Sequence, residues 1–144
     1  MPDLSLEDLR KEAEARRQAR VEKRAPREEE IERNRLTSEI ACDTAADAAG
    51  LVLGIDAKIV FAENTGKGVL VKRPTHVAFQ SYTQKVLADK CGPTDRHEFA
   101  KLCMVWPDSK GLSALLDETP GLILKMCEVA GNLARAEEAE VEGK

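Results

Sequence analysis

The sequence predicts an α+β fold that is mostly helical: a long charged N-terminal helical arm, one β-hairpin, then a cluster of short amphipathic helices. Three observations carry this expectation. Residues 1–37 hold ten Lys/Arg and ten Asp/Glu, dense in charge yet neutral in sum. Two β-branched runs, Lys58-Ile59-Val60-Phe61-Ala62 and Gly68-Val69-Leu70-Val71-Lys72, flank the connection Glu63-Asn64-Thr65-Gly66-Lys67, the signature of a hairpin. Beyond Pro74, apolar residues recur at three- and four-residue intervals between proline and glycine breaks. The organisation expected is an arm over 1–37, a small domain over 38–136 with its hairpin at about 57–72, and a frayed Glu/Ala-rich tail over 137–144.

Taken in order, Ser5 caps a helix over residues 5–24 whose large apolar residues are only Leu4, Leu6, Leu9 and Val21. So polar a helix has no face to bury and should either protrude or fray. Pro26 interrupts it, either as a kink or as the first residue of a new helix, and Glu28, Glu29 and Glu30 suit the positive end of that helix. The second helix runs from about Arg27 to Leu53. From Leu36 its buried stripe reads Ile40, Thr44, Ala48, Leu51 or Val52, and Ile55, beside alanines small enough to let another backbone approach closely. Gly54 ends it.

The two strands of the hairpin are marginal alone and must lean on helices or gain strands from a neighbouring copy. Extended geometry before Pro74 and an oxygen on Thr75 then start a helix over 75–90, with Phe79, Tyr82, Val86 and Leu87 on one face. Cys91-Gly92-Pro93 stops it. Thr94 caps the next, whose buried face is Phe99, Leu102, Cys103 and Trp106, with Pro107 as its end. A short helix with Leu112, Leu115 and Leu116 follows. Thr119-Pro120 supplies a cap and first-turn proline for the last helix, which buries Ile123, Met126, Cys127, Ala130 and Leu133.

Composition narrows the chemistry. All of the net charge of −4 lies after residue 37, so neither part is a phosphate-binding basic patch, although Arg16, Arg17 and Arg20 form a small local one. No apolar run is long enough to span a bilayer and no basic-then-apolar signal opens the chain, so a cytoplasmic location is expected. Four cysteines stand singly and read as small buried hydrophobes. The spacing Cys91-x5-His97-x5-Cys103 is wrong for structural zinc and lacks a fourth ligand. His76 and His97 each fall in a helix's first turn, with no nucleophile set beside them. Asn64-Thr65-Gly66-Lys67-Gly68 lacks the P-loop pattern and sits between two strands. The expectation is a non-enzyme with no cofactor and no metal. Trp106 is expected to pack in the core.

From Val69 onward the order of features resembles the small tail assembly chaperones of long-tailed bacteriophages. The likeness rests on a strand followed by Lys72-Arg73-Pro74-Thr75 with Phe79 in the next helix, and on Leu102-Cys103-Met104-Val105-Trp106-Pro107. Leu115 and Leu116, then Pro120-Gly121-Leu122 opening the last helix, complete it, so that about residues 57–135 are covered. The arm has no counterpart in that pattern. The resemblance implies a protein that makes and breaks no bond, binds the tape measure protein during tail construction and helps recruit tail-tube protein; self-association is allowed separately by the two-stranded hairpin, whose sheets could join between copies. Such work needs apolar helical surface, which Ala45 and Ala48, with Leu112, Leu115, Leu116, Ile123 and Met126, are expected to supply as the partner-binding residues. The rival readings are a minor tail or baseplate component retained in the virion, and a small regulatory or nucleic-acid-binding module that uses the arm.

Overall fold

A computed structural model describes the backbone of residues 3–142 and the side chains of residues 3–135. The first element, α1 (Leu6–Ala48), is one helix of 43 residues. Ser5 caps it as expected, accepting from the Asp8 N–H at 3.2 Å. Pro26, expected to break or kink the arm into two helices, lies inside this one. A proline removes one helical hydrogen bond and crowds the carbonyl four residues earlier, at a cost of about 3 kcal/mol. Strong helix formers flank it, and Glu22 is exposed, so its freed carbonyl reaches water. Among the described residues up to Glu30, only Ala13 is even half-buried. Support there is local: ion pairs at i,i+4 join Glu7 to Lys11, Glu12 to Arg16, Arg24 to Glu28 and Glu29 to Arg33, each worth about 0.3–0.5 kcal/mol at such exposed sites.

Packing begins at Ile31, earlier than the expected boundary at residue 38. There α1 meets β1 (Ala57–Phe61) and β2 (Gly68–Lys72). The two strands pair antiparallel from Ala57 opposite Lys72 to Phe61 opposite Gly68, the hairpin read from the sequence. Its connection turns through Gly66 at φ +79°, where a side chain would collide with the backbone carbonyl of Ile31. Asn34 donates to the Thr65 carbonyl at 2.9 Å, and the Gly68 N–H donates to Ser38 Oγ at 2.9 Å. These contacts clamp hairpin to helix.

The third strand comes from the same chain. β3 (Met104–Trp106) adds to β2, with Leu70 opposite Trp106 and Val71 opposite Met104 around a bulge. The helix expected to reach Trp106 therefore ends at Cys103: α3 (Pro93–Cys103) is capped by Gly92 with Pro93 at N1, not by Thr94, and Leu102 is exposed. Val105 and Trp106 are strand formers before a proline, and pairing with β2 satisfies their backbone better than another helical turn. Trp106 is half-buried against the α1 side of the sheet, and its bond to Pro107 is cis.

β2 is central and closed on both faces. Leu70 points toward Cys42 and Ala46 of α1, with Ala57 beside them. Val69 and Val71 point the other way, into the larger core with Phe99, Cys103, Leu112, Leu122, Met126 and Ala130. That core is closed by α3, by α4 (Ser109–Glu118) and by α5 (Leu122–Glu142). Fully burying each leucine contributes about 1.5–3 kcal/mol. The arrangement is helix, sheet, helices: an α+β fold, mostly helical, with a three-stranded antiparallel sheet between α1 and the rest.

Two more expectations are corrected. The buried stripe of α1 is Ser38, Cys42 and Ala46, while Leu36, Ile40, Thr44 and Ala48 face solvent. Small side chains let the helix axis approach the sheet, whereas Leu36 and Ile40 would hold it off. The last helix starts at Leu122, because Thr119 closes α4 and donates its hydroxyl to Asn64 Oδ1 at 2.6 Å. In the stretch 137–144, expected to fray, the backbone is helical to Glu142, and Gly143 and Lys144 lie outside the described residues.

Candidate interaction surface

The Lys72-Arg73-Pro74-Thr75 step positions a helix that packs only loosely on the rest of the fold. Arg73 donates from Nε to the Leu133 carbonyl at 3.2 Å and from Nη2 to the Ile55 carbonyl at 3.3 Å, tying the end of β2 to α5 and to the loop before β1. Pro74 is buried. Thr75 then accepts from the Ala78 N–H at 3.2 Å and caps α2 (His76–Leu87). The direction in which α2 leaves the sheet is thereby set.

No residue of α2 is fully buried. It is held by Phe79 and Tyr82, with the Tyr82 ring stacked on Phe99 at 4.1 Å and 3° between planes, and by a 2.8 Å ion pair from Lys85 to Asp95. That hydrogen bond keeps the Asp95 carboxyl below, and the Lys85 ammonium above, their usual ranges. Burial, with Cys127 and Cys91 alongside, pushes the Tyr82 hydroxyl up to about 12. Of the four apolar residues expected on the inner face of α2, Val86 and Leu87 face solvent.

Between α2 and α5 lies a groove of about 280 Å³ lined by Phe79, Tyr82, Thr83, Val86, Leu124, Cys127, Glu128, Gly131 and Arg135. Its floor is aromatic and thiol; its walls are Val86 and Leu124, 49% and 59% exposed; Glu128 and Arg135 stand at the rim. Gly131 leaves the α5 wall low, since even a Cβ there would meet nothing nearer than the Arg135 guanidinium at 3.9 Å. An apolar trough with charged edges between two helices suits the ridge of a third helix. A second cleft, of about 450 Å³, separates α1 from the hairpin turn; it is polar, bounded by Arg27, Glu30, Asn34, Asn64 and the Lys67–Glu118 ion pair at 3.3 Å.

The residues expected to bind a partner fall differently. Leu112, Leu115 and Met126 are sealed in the core, so as partner-binding residues they are corrected: their periodicity marks the faces that hold α4 and α5 to the sheet. Leu116 and Ile123 are half-buried against the same core, and Ala45 against the α1 side. Ala48 alone of the seven is exposed. The groove residues Val86 and Leu124 were missed because each was read as part of, or beside, a buried stripe. Among the described residues no three His, Cys, Asp or Glu side chains converge to hold a metal ion. Cys42, Cys103 and Cys127 are buried, and burial raises their thiols, Cys42 to about 11 and Cys103 to about 12. Among the described residues no helix is long and apolar enough to cross a membrane.

Comparison with protein-family models, with curated proteins and with solved structures returns no match in any of the three.

Proposed function

We propose that this protein is a tail assembly chaperone of a long-tailed bacteriophage or prophage, acting in the host cytoplasm without catalysis. It holds a helical segment of the tape measure protein in solution and helps bring tail-tube subunits to it. Two lines support the reading. The Arg73-Pro74-Thr75 step and the Leu102–Pro107 segment resemble that family, and the apolar groove between α2 and α5 directly follows the first of them. The groove carries the proposal: it offers Phe79, Tyr82, Val86 and Leu124 to an apolar helix ridge.

Co-expression with tape measure fragments tests it. The expected outcome is a soluble, co-purifying complex that the double substitution Val86→Glu, Leu124→Glu abolishes. Both positions are exposed, so the circular dichroism of the variant should match the parent. Failure to solubilise or bind any fragment would refute the reading. Mass spectrometry of purified virions separates it from a structural role, since an assembly chaperone is absent from the finished particle and a baseplate component is retained.

A further inference from the structure

On the face of α1 that points away from the sheet, the described residues are exposed. At about 100° per residue, Leu36, Ile40 and Thr44 lie opposite Ser38, Cys42 and Ala46, which are buried. Leu36 is 53% and Ile40 69% exposed. Thr37 and Thr44 turn their hydroxyls onto their own helix, to the Arg33 carbonyl at 2.8 Å and the Ile40 carbonyl at 2.9 Å. Their polar atoms are thus satisfied, which suits a seam that another helix can cover without stranding a hydroxyl.

Charge along this part of the chain is divided by sign. Residues 10–35 carry ten basic and seven acidic side chains; residues 36–57 carry four acidic ones, Glu39, Asp43, Asp47 and Asp56, and no Lys or Arg. Two copies laid parallel would set like against like. Laid antiparallel about Ile40, residues 32–48 of the two helices overlap, and Arg33 and Arg35 of each copy run beside the acidic end of the other's helix. With Ile40 at the centre, Arg33, seven residues before it, comes across from Asp47, seven residues after it, and the pairing occurs twice by symmetry. Arg33 and Asp47 both lie on the Ile40 side of α1 by the same helical rotation. The pairing also sets the two helix dipoles head to tail.

We infer that this face is a homodimer interface: two copies pair α1 against α1, antiparallel, about a two-fold axis near Ile40. The apolar content is small, so the dimer is concentration-dependent and weakened by salt. It does not rest on the chaperone reading, because the groove between α2 and α5 is built from other elements and stays open in either state.

Sedimentation velocity of the full chain over a range of concentrations is the test. A monomer–dimer equilibrium is expected, with Leu36→Glu or Ile40→Glu raising the dissociation constant by ~100-fold or more and leaving the thermal melt unchanged at low concentration. Arg33→Glu and Asp47→Arg should each weaken the dimer by about tenfold, and the double variant should recover it, which a merely structural role for either residue would not produce. A chain that stays monomeric up to ~1 mM overturns the inference, as does a dimer indifferent to Ile40→Glu or a double charge swap that fails to recover. A monomeric chain whose Ile40→Glu variant loses a foreign helical segment would assign the face to that partner and equally overturn the dimer. Tape measure binding lost with the dimer intact would sink only the chaperone reading.

Discussion

Gly66 and Ser38 are small residues that set the distance between hairpin and helix. Gly66 needs both a left-handed backbone and empty space next to Ile31, so Gly66→Ala meets two penalties at once. It should destabilise the fold by about 3 kcal/mol, read as a lower urea midpoint. Ser38→Ala leaves the buried Gly68 N–H without an acceptor and should cost about 1–3 kcal/mol; a combined variant less damaging than the sum would show that the two act on one joint. The turn itself was legible from Asn64 and Gly66 in the sequence. Its contact with Ile31 was not, because a glycine tells how the backbone bends and says nothing about which distant carbonyl lies beside it. Arg73 is similar: the Arg-Pro-Thr order announced a cap, yet the bonds from Arg73 to Ile55 and Leu133 depend on how the loop before β1 and the middle of α5 pack beside the end of β2.

At the scale of elements, α1 is where local and tertiary demands diverge. Pro26 weakens a segment that no packing supports, so Pro26→Ala should restore one hydrogen bond and stabilise the arm locally by up to about 3 kcal/mol. Amide exchange should slow on the turns around residue 26 while the global melting temperature stays put, since every described residue up to Glu30 except Ala13 is exposed. A rise in global stability would mean that the arm packs somewhere. The hairpin, the Thr75 cap and the buried face of α5 could be read from periodicity and turn chemistry. Two features could not. β3 is three residues long, below any periodic signal, and exists because β2 had a free edge. The face of α1 was misread because periodicity gives weight to large side chains, whereas the helix docks through Ser38, Cys42 and Ala46 and leaves Leu36 and Ile40 outside. The groove was illegible for the same reason in reverse: Val86 and Leu124 look like core residues until α2 is seen to stand off from α5.

For the whole molecule, the sheet divides the interior into two cores and each holds thiols: Cys42 on the α1 side, Cys103 and Cys127 on the other. Burial raises Cys42 to about 11, Cys103 to about 12, and Tyr82 to about 12. Between the ordinary thiol value of 9.0 and those raised values the folded chain holds protons that the unfolded chain releases. Stability from these groups is therefore full below about pH 9 and is lost as pH climbs toward 12. Thermal melts from pH 8 to 11 should show a flat region and then a steady fall, which Cys42→Ala and Cys103→Ala should make shallower. The uninterrupted helix has a mechanical consequence of its own. Its 43 residues span about 65 Å, and the portion ahead of Ile31 extends roughly 37 Å beyond the folded body. A label attached at Leu6 or Leu9 would thus ride at a stand-off fixed by residue number, as on a ruler. Excising seven residues from that shaft would draw the label inward by about 10 Å while turning it only some 20°; removing five would swing it to the far side.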